Sequence, residues 1–269
     1  MEKTLKQGTG FFKPRRFLLL LRRDFSNGYR SVLIAMAAVS GFIILFSALS
    51  ALQGRNGEFY TAIFAQLLFI GGYIVSSLAF KELHQPGRSY FYCTLPGSLV
   101  EKFSSKLLVT SLGYALGTLI FCTIVGAASE GINRLIFGRG HYFFNPLDMN
   151  ILLMIAVYLV TQSVFLTGSV YFRKVAFLKT TLIVNGAAIA FGLIVALILY
   201  LIFREHIHPG GLEPWIESIF NERGYTGQIE AELGNFVSTF LSLIKILFWY
   251  VLAPVCWLIS YFRLSETEV

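Results

Sequence analysis

KELHQPGRSYFYCTLPGSLVEKFSSK, residues Lys81–Lys106, is a polar interval between two long apolar runs. Pro96-Gly97 breaks the chain and Ser98 restarts it. Ser98 with Glu101 three positions on is a capping box, in which each side chain can satisfy the other residue's backbone N–H, so the spacing predicts a helix from Leu99. Leu99, Val100 and Phe103 give that helix an apolar face beside Glu101, Lys102 and Lys106. Runs of about 20 apolar residues match the thickness of a bilayer core, so the interval reads as a loop between two membrane spans.

Composition agrees. The 269 residues are 55% hydrophobic and only 14% charged, and the mean hydropathy is +0.67. A soluble domain carries about 25% charged residues. Six apolar runs predict six spans, at about 31–52, 60–80, 107–128, 150–172, 180–203 and 236–262. Each can cross about 30 Å of hydrocarbon as a helix. The expected fold is an all-α polytopic bundle over residues 31–262, preceded by an N-terminal segment 1–30 and followed by a tail 263–269.

The net charge of +7 raises nucleic-acid binding, but the cations lie at span ends and not on one soluble surface. Lys3, Lys6, Lys13, Arg15, Arg16, Arg22, Arg23 and Arg30 precede the first span. Lys81, Arg88, Lys102 and Lys106 lie between spans 2 and 3, Arg173, Lys174 and Lys179 between spans 4 and 5, and Arg263 after span 6. The opposite ends hold Arg55, Arg134, Arg139, Arg204 and Arg223. By the positive-inside rule both termini are expected in the cytoplasm. The N-terminal segment mixes Phe11, Phe12 and Phe17–Leu21 with Lys13, Arg15, Arg16, Arg22 and Arg23, the pattern of a helix lying in the membrane interface. Its apolar run is too short for the core of a signal peptide. The acidic stretch 204–235, punctuated by Pro209-Gly210-Gly211 and Gly224, is expected to carry two short external amphipathic helices.

Reaction chemistry is hard to find. There is no G-x-x-x-x-G-K-[ST], no G-x-G-x-x-G, no His-Glu-x-x-His and no G-x-S-x-G within a span. No cofactor or metal is expected. His206 and His208 are two apart and cannot share a helix face, and Cys93, Cys122 and Cys256 show neither metal nor disulfide spacing. Lys245 is a full charge inside span 6, where a lysine costs about 2.5–3.5 kcal/mol at the bilayer centre. It either snorkels outward or faces a path through the bundle. Gln66, Gln162 and Asn185 are further polar residues at membrane depth, which serve more often as interhelical glue than as substrate ligands. Lys245, Gln66 and Asn185 are the candidates for a translocation path. Gly113-x-x-x-Gly117 and Gly186-x-x-x-Ala190 permit close helix approach, and Pro254 is expected to kink span 6.

The segment TLPGSLVEKFSSKLL (Thr94–Leu108) resembles the corresponding segment of ABC-2 type transporter permeases, notably those of Bacteroidetes-like bacteria. The resemblance extends to the order of parts: basic interfacial segment, six spans, a segment between spans 2 and 3, and short external helices between spans 5 and 6. It implies a membrane subunit of a bacterial exporter in the cytoplasmic membrane, not itself an enzyme. It also implies a second permease chain, identical or homologous, and two copies of a separate ATP-binding subunit that bind ATP and Mg. Carried over residue by residue, it places Leu95, Pro96, Ser98, Leu99, Glu101, Lys102 and Phe103 at the site where that ATPase docks. Gly97 departs from the Ala or Val of many such permeases. The competing expectation is a membrane protein without transport activity, an assembly factor or a sensor, in which residues 95–103 would be dispensable. The aromatic-rich spans would suit lipids, hydrophobic peptides or drugs as cargo.

Overall fold

The computed structural model describes residues 13–26, 29–52, 58–85, 87, 97–138, 144–203, 239 and 242–268. The described residues are mostly helical, with no strand among them. Six helical stretches are long and apolar enough to cross a membrane, which makes this an all-α multi-pass membrane bundle. The expected external helices within 204–235 lie outside the described residues.

In chain order, α1 is Pro14–Ser26 and α2 is Tyr29–Leu52. Span 2 consists of α3 (Glu58–Gln66), a π-helical turn π1 (Leu67–Gly71) and α4 (Gly72–Leu78), and a short 3₁₀ turn follows at Lys81–His84. Span 3 contains α5 (Leu99–Leu108), a second π turn π2 (Val109–Gly113) and α6 (Tyr114–Phe137). Spans 4 and 5 are α7 (Met149–Tyr171) and α8 (Ala176–Phe203). Span 6 includes π3 (Leu247–Val251) and α9 (Leu252–Glu268).

Local chemistry sets these boundaries. Pro14 occupies the first turn of α1, where its missing N–H costs nothing. Asp148 caps α7 by accepting from the Asn150 N–H at 3.0 Å. Gly138 ends α6 in the left-handed conformation, φ 62°, with its N–H on the Arg134 carbonyl. Pro254 has no N–H to offer Tyr250, four residues back in π3, so the expected break in span 6 coincides with a π turn.

The helix after the capping box is not a separate element. Elements of 10, 5 and 24 residues run on from Leu99 to Phe137, a helix of about 58 Å, roughly twice the hydrocarbon thickness. The stretch free of charged residues is 107–129, and Glu101, Lys102 and Lys106 precede it. The charged first turns of α5 thus precede the charge-free stretch while remaining continuous with it.

The chain divides into two compact units, one of residues 1–177 with 252–269 and one of 178–251. In the first, α2, α3, α6 and α7 enclose a core of Ile43, Phe64, Leu68, Ala115, Ile151 and Tyr158. A second cluster at the basic end joins Phe80, Phe103, Leu166, Val170 and Leu264. The second unit holds almost all of α8, together with π3 and the turn before it.

Candidate functional site

The basic end of the first unit is built around α5. The predicted capping box is present: Glu101 N–H donates to Ser98 Oγ at 3.2 Å, and Ser98 N–H donates to Glu101 Oε2 at 2.9 Å. The other carboxylate oxygen, Oε1, accepts from the backbone N–H of Lys13 at 2.5 Å. One carboxylate thus closes the cap of α5 and holds the entry to α1. Burial alone would push this carboxyl's pKa up. The two backbone N–H donors and the positive charges of Arg16 and Lys13 outweigh burial and hold it below its usual value.

The far end of α1 is held by a second carboxylate. Asp24 Oδ1 lies 2.8 Å from Lys106 Nζ, and Asp24 Oδ2 accepts from Ser105 Oγ at 2.9 Å. Arg23 reaches Glu82 on the 3₁₀ turn at 3.4 Å. Between these ties Leu20 is buried, whereas Leu18 and Leu19 are 67% and 60% exposed. Arg15, Arg16 and Arg22 are also exposed. The exposed side of α1 therefore carries both leucine and arginine. Gly97 fits beneath it, since a Cβ there would stand 3.3 Å from Glu101 Oε2 and 3.4 Å from Leu20 Cδ1.

Of the seven docking residues proposed from sequence, Leu95 and Pro96 lie outside the described residues. Ser98 and Leu99 are half-buried. Glu101, Lys102 and Phe103 are buried, with 1%, 4% and 7% exposure. Phe103 stacks on Phe80, ring centroids 6.2 Å apart, and meets the Tyr261 ring edge-on. These three side chains are engaged within the chain, and the exposed apolar residue of the first turn is Val100. Sequence reasoning missed Asp24, Ser105 and Tyr261. Asp24 did leave a signal, as a lone acid among the cations of residues 13–30.

The path candidates divide between the units, Gln66 in the first and Asn185 and Lys245 in the second. All three are exposed. Asn185 Nδ2 donates to Thr181 O at 2.8 Å within its own helix. Gln162 behaves as interhelical glue: it is fully buried and its Oε1 accepts from Ser76 Oγ at 3.2 Å. At the other end of the bundle a network unseen in the sequence ties α2, α3 and α6. Asn133 Nδ2 donates to Ser47 Oγ at 2.8 Å, the Ser47 and Tyr60 hydroxyls are 2.7 Å apart, and Tyr60 OH donates to Glu130 at 3.0 Å. Among the described residues no group of His, Cys, Asp and Glu could hold a metal. Compared with known protein families, curated proteins and solved structures, the chain matches none.

Proposed function

We propose that this chain is the permease subunit of an ABC-2 type exporter, working in the bacterial cytoplasmic membrane with a second permease chain and two copies of a separate ATP-binding subunit. The observation that carries the reading is the capped helix α5. Its charged first turns precede the charge-free stretch 107–129, it is continuous with a membrane span and it is tied to an amphipathic helix at both ends. Such an element passes a push from a soluble partner into the bilayer through one unbroken run of helix. The sequence lacks a phosphate-binding loop of its own, which leaves ATP hydrolysis to another chain. The docking surface in this reading is Leu99 and Val100, with Leu95 and Pro96 before them. Glu101, Lys102 and Phe103 set its position from beneath. ATP-driven closure of the partner would move α5, and a nucleotide shifts such a system only through its unequal affinity for the two states.

The test is reconstitution. The chain is co-expressed and purified with a candidate ATP-binding subunit from the same genome and placed in vesicles. Val100→Glu is expected to abolish association and ATP-dependent export while leaving the fold intact. Unchanged association would remove α5 as the docking element. The burial of Glu101, Lys102 and Phe103 also favours a second reading, in which α5 is a structural corner of a non-transporting assembly or sensor protein. That reading predicts no ATPase partner and no effect of Val100→Glu.

A further inference from the structure

Three membrane spans contain π turns, and two of these turns, π1 and π2, each receive a tyrosine hydroxyl from a different span. A π turn adds one residue to a helical turn and disturbs the regular bonding. In π2 the Tyr114 N–H donates to the carbonyls of Val109 and Ser111 and passes over Thr110, its partner in a regular α-helix. The Thr110 carbonyl accepts instead from Tyr158 OH on α7, at 2.6 Å. In π1 the Leu67 carbonyl accepts from Tyr114 OH at 2.8 Å. Thr110 Oγ1 donates to Lys106 O at 2.9 Å, and Ser111 Oγ donates to Leu107 O at 2.6 Å.

Both phenols reach their carbonyls across glycine. A Cβ on Gly71 would stand 2.2 Å from Tyr114 OH, and one on Gly72 would stand 2.3 Å from Tyr158 Cε2. The adjacent glycines of span 2 leave room for the two rings. The arrangement is a relay: span 4 caps the bulge of span 3, and the residue that ends that bulge caps the bulge of span 2. All of it lies in one compact unit.

We propose that π2 is a pivot within span 3, and that the Tyr158 hydroxyl is the catch that holds it. When a bulge closes or migrates, its extra residue is passed along the helix. The helix on one side then turns by about 100° against the other, the rotation of one residue. The part that turns against α6 is α5, together with α1, which is tied to it. The use of this pivot in export rests on the permease reading; the pivot and its catch do not.

Hydrogen exchange on the purified protein in lipid nanodiscs, without any partner, tests the catch. Tyr158→Phe keeps the ring and removes the hydroxyl. Exchange at 109–115 is expected to rise about tenfold, the effect of losing one ordinary hydrogen bond, with 67–72 unchanged. Tyr114→Phe is expected to release 67–72. No change at 109–115 in Tyr158→Phe, or an equal rise in all spans, overturns the proposal. Should Tyr158→Phe not fold, 3,5-difluorotyrosine at position 158 keeps the shape and makes the hydroxyl a stronger donor. Exchange at 109–115 must then slow, and an unchanged rate overturns the proposal. Spin labels at the exposed positions Val100 and Leu116, about 24 Å apart along the helix, provide the geometric readout. Their distance distribution must broaden or split when the catch is removed, and an unchanged distribution overturns the pivot. Because no ATPase is present, these experiments can fail while the association in the permease reading stands, and the converse also holds.

Discussion

Lys13 and Glu101, 88 positions apart, are joined by a hydrogen bond from the backbone N–H of the first to the carboxylate of the second. The same carboxylate accepts the Ser98 N–H of its own helix cap. Anything that moves α5 therefore moves the start of α1. A Ser98→Ala variant loses one cap bond, expected to cost about 1 kcal/mol. Glu101→Gln keeps an acceptor for only one of the two N–H donors and loses the charge, which should cost about 2 kcal/mol. The double variant should cost less than the sum, because both changes break one box. Thermal unfolding in detergent measures all three, and strict additivity would show that the two side chains act independently.

The same carboxylate sets a pH response. Its pKa is lower in the folded chain than the usual value of 4.5. A depressed carboxylate contributes stability that is fully present above its unfolded value and is lost as pH falls through the folded one. Protection of α1 from proteolysis should be flat from pH 8 to about pH 5 and decline below that. Glu101→Gln should remove much of the decline. A transition near neutral pH in the wild-type protein would point to a different group.

Asp24 and Lys106 form an ion pair whose side chains are 7% and 14% exposed. Removing one partner leaves a mostly buried charge alone. Asp24→Asn should therefore destabilise the protein by about 3 kcal/mol, the scale of broken buried pairs. Removing both charges in Asp24→Asn with Lys106→Met should recover part of that loss. If the double variant is as unstable as the sum of the singles, the pair does not interact as its geometry implies.

Asp24 also shows where sequence reading stops. The capping box was legible because both partners lie within four residues and the motif has a fixed spacing. The spans were legible because about 20 apolar residues have one common explanation. The pairing of Asp24 with Ser105 and Lys106 was not, because it depends on how α1 lies across α5, and no local pattern encodes that crossing. Phe103 was read as part of a docking face for a related reason. Periodicity gives the apolar side of a helix, but not whether that side meets another chain or Phe80 and Tyr261 of its own. The π turns of spans 2 and 3 left no sequence signal beyond Gly71-Gly72 and Gly113, whereas the π turn of span 6 lies beside Pro254.

Val175, in the turn after α7, has φ 55° and is 63% exposed. A β-branched residue in the left-handed region is strained by about 1–2 kcal/mol, and its largely exposed side chain gains little packing in compensation. Asparagine tolerates this conformation without glycine's cost in the unfolded chain. Val175→Asn should raise stability by about 1 kcal/mol, read as an increase in the unfolding midpoint. A decrease would mean that the exposed valine meets something in the membrane or on a partner.

The contrast between Phe103 and Val100 separates support from docking. Phe103 is buried between Phe80 and Tyr261, so Phe103→Ala opens a cavity and should cost about 3–5 kcal/mol. A loss of ATPase association in that variant would follow from the collapse of the corner and could not identify a contact. Val100 is 46% exposed, and Val100→Glu should change stability by no more than about 0.5 kcal/mol. Association measured on Val100→Glu therefore reports on the surface itself. A melting curve close to wild type with association lost marks Val100 as part of the interface. The same curve with association intact moves the interface away from α5, whatever Phe103→Ala does.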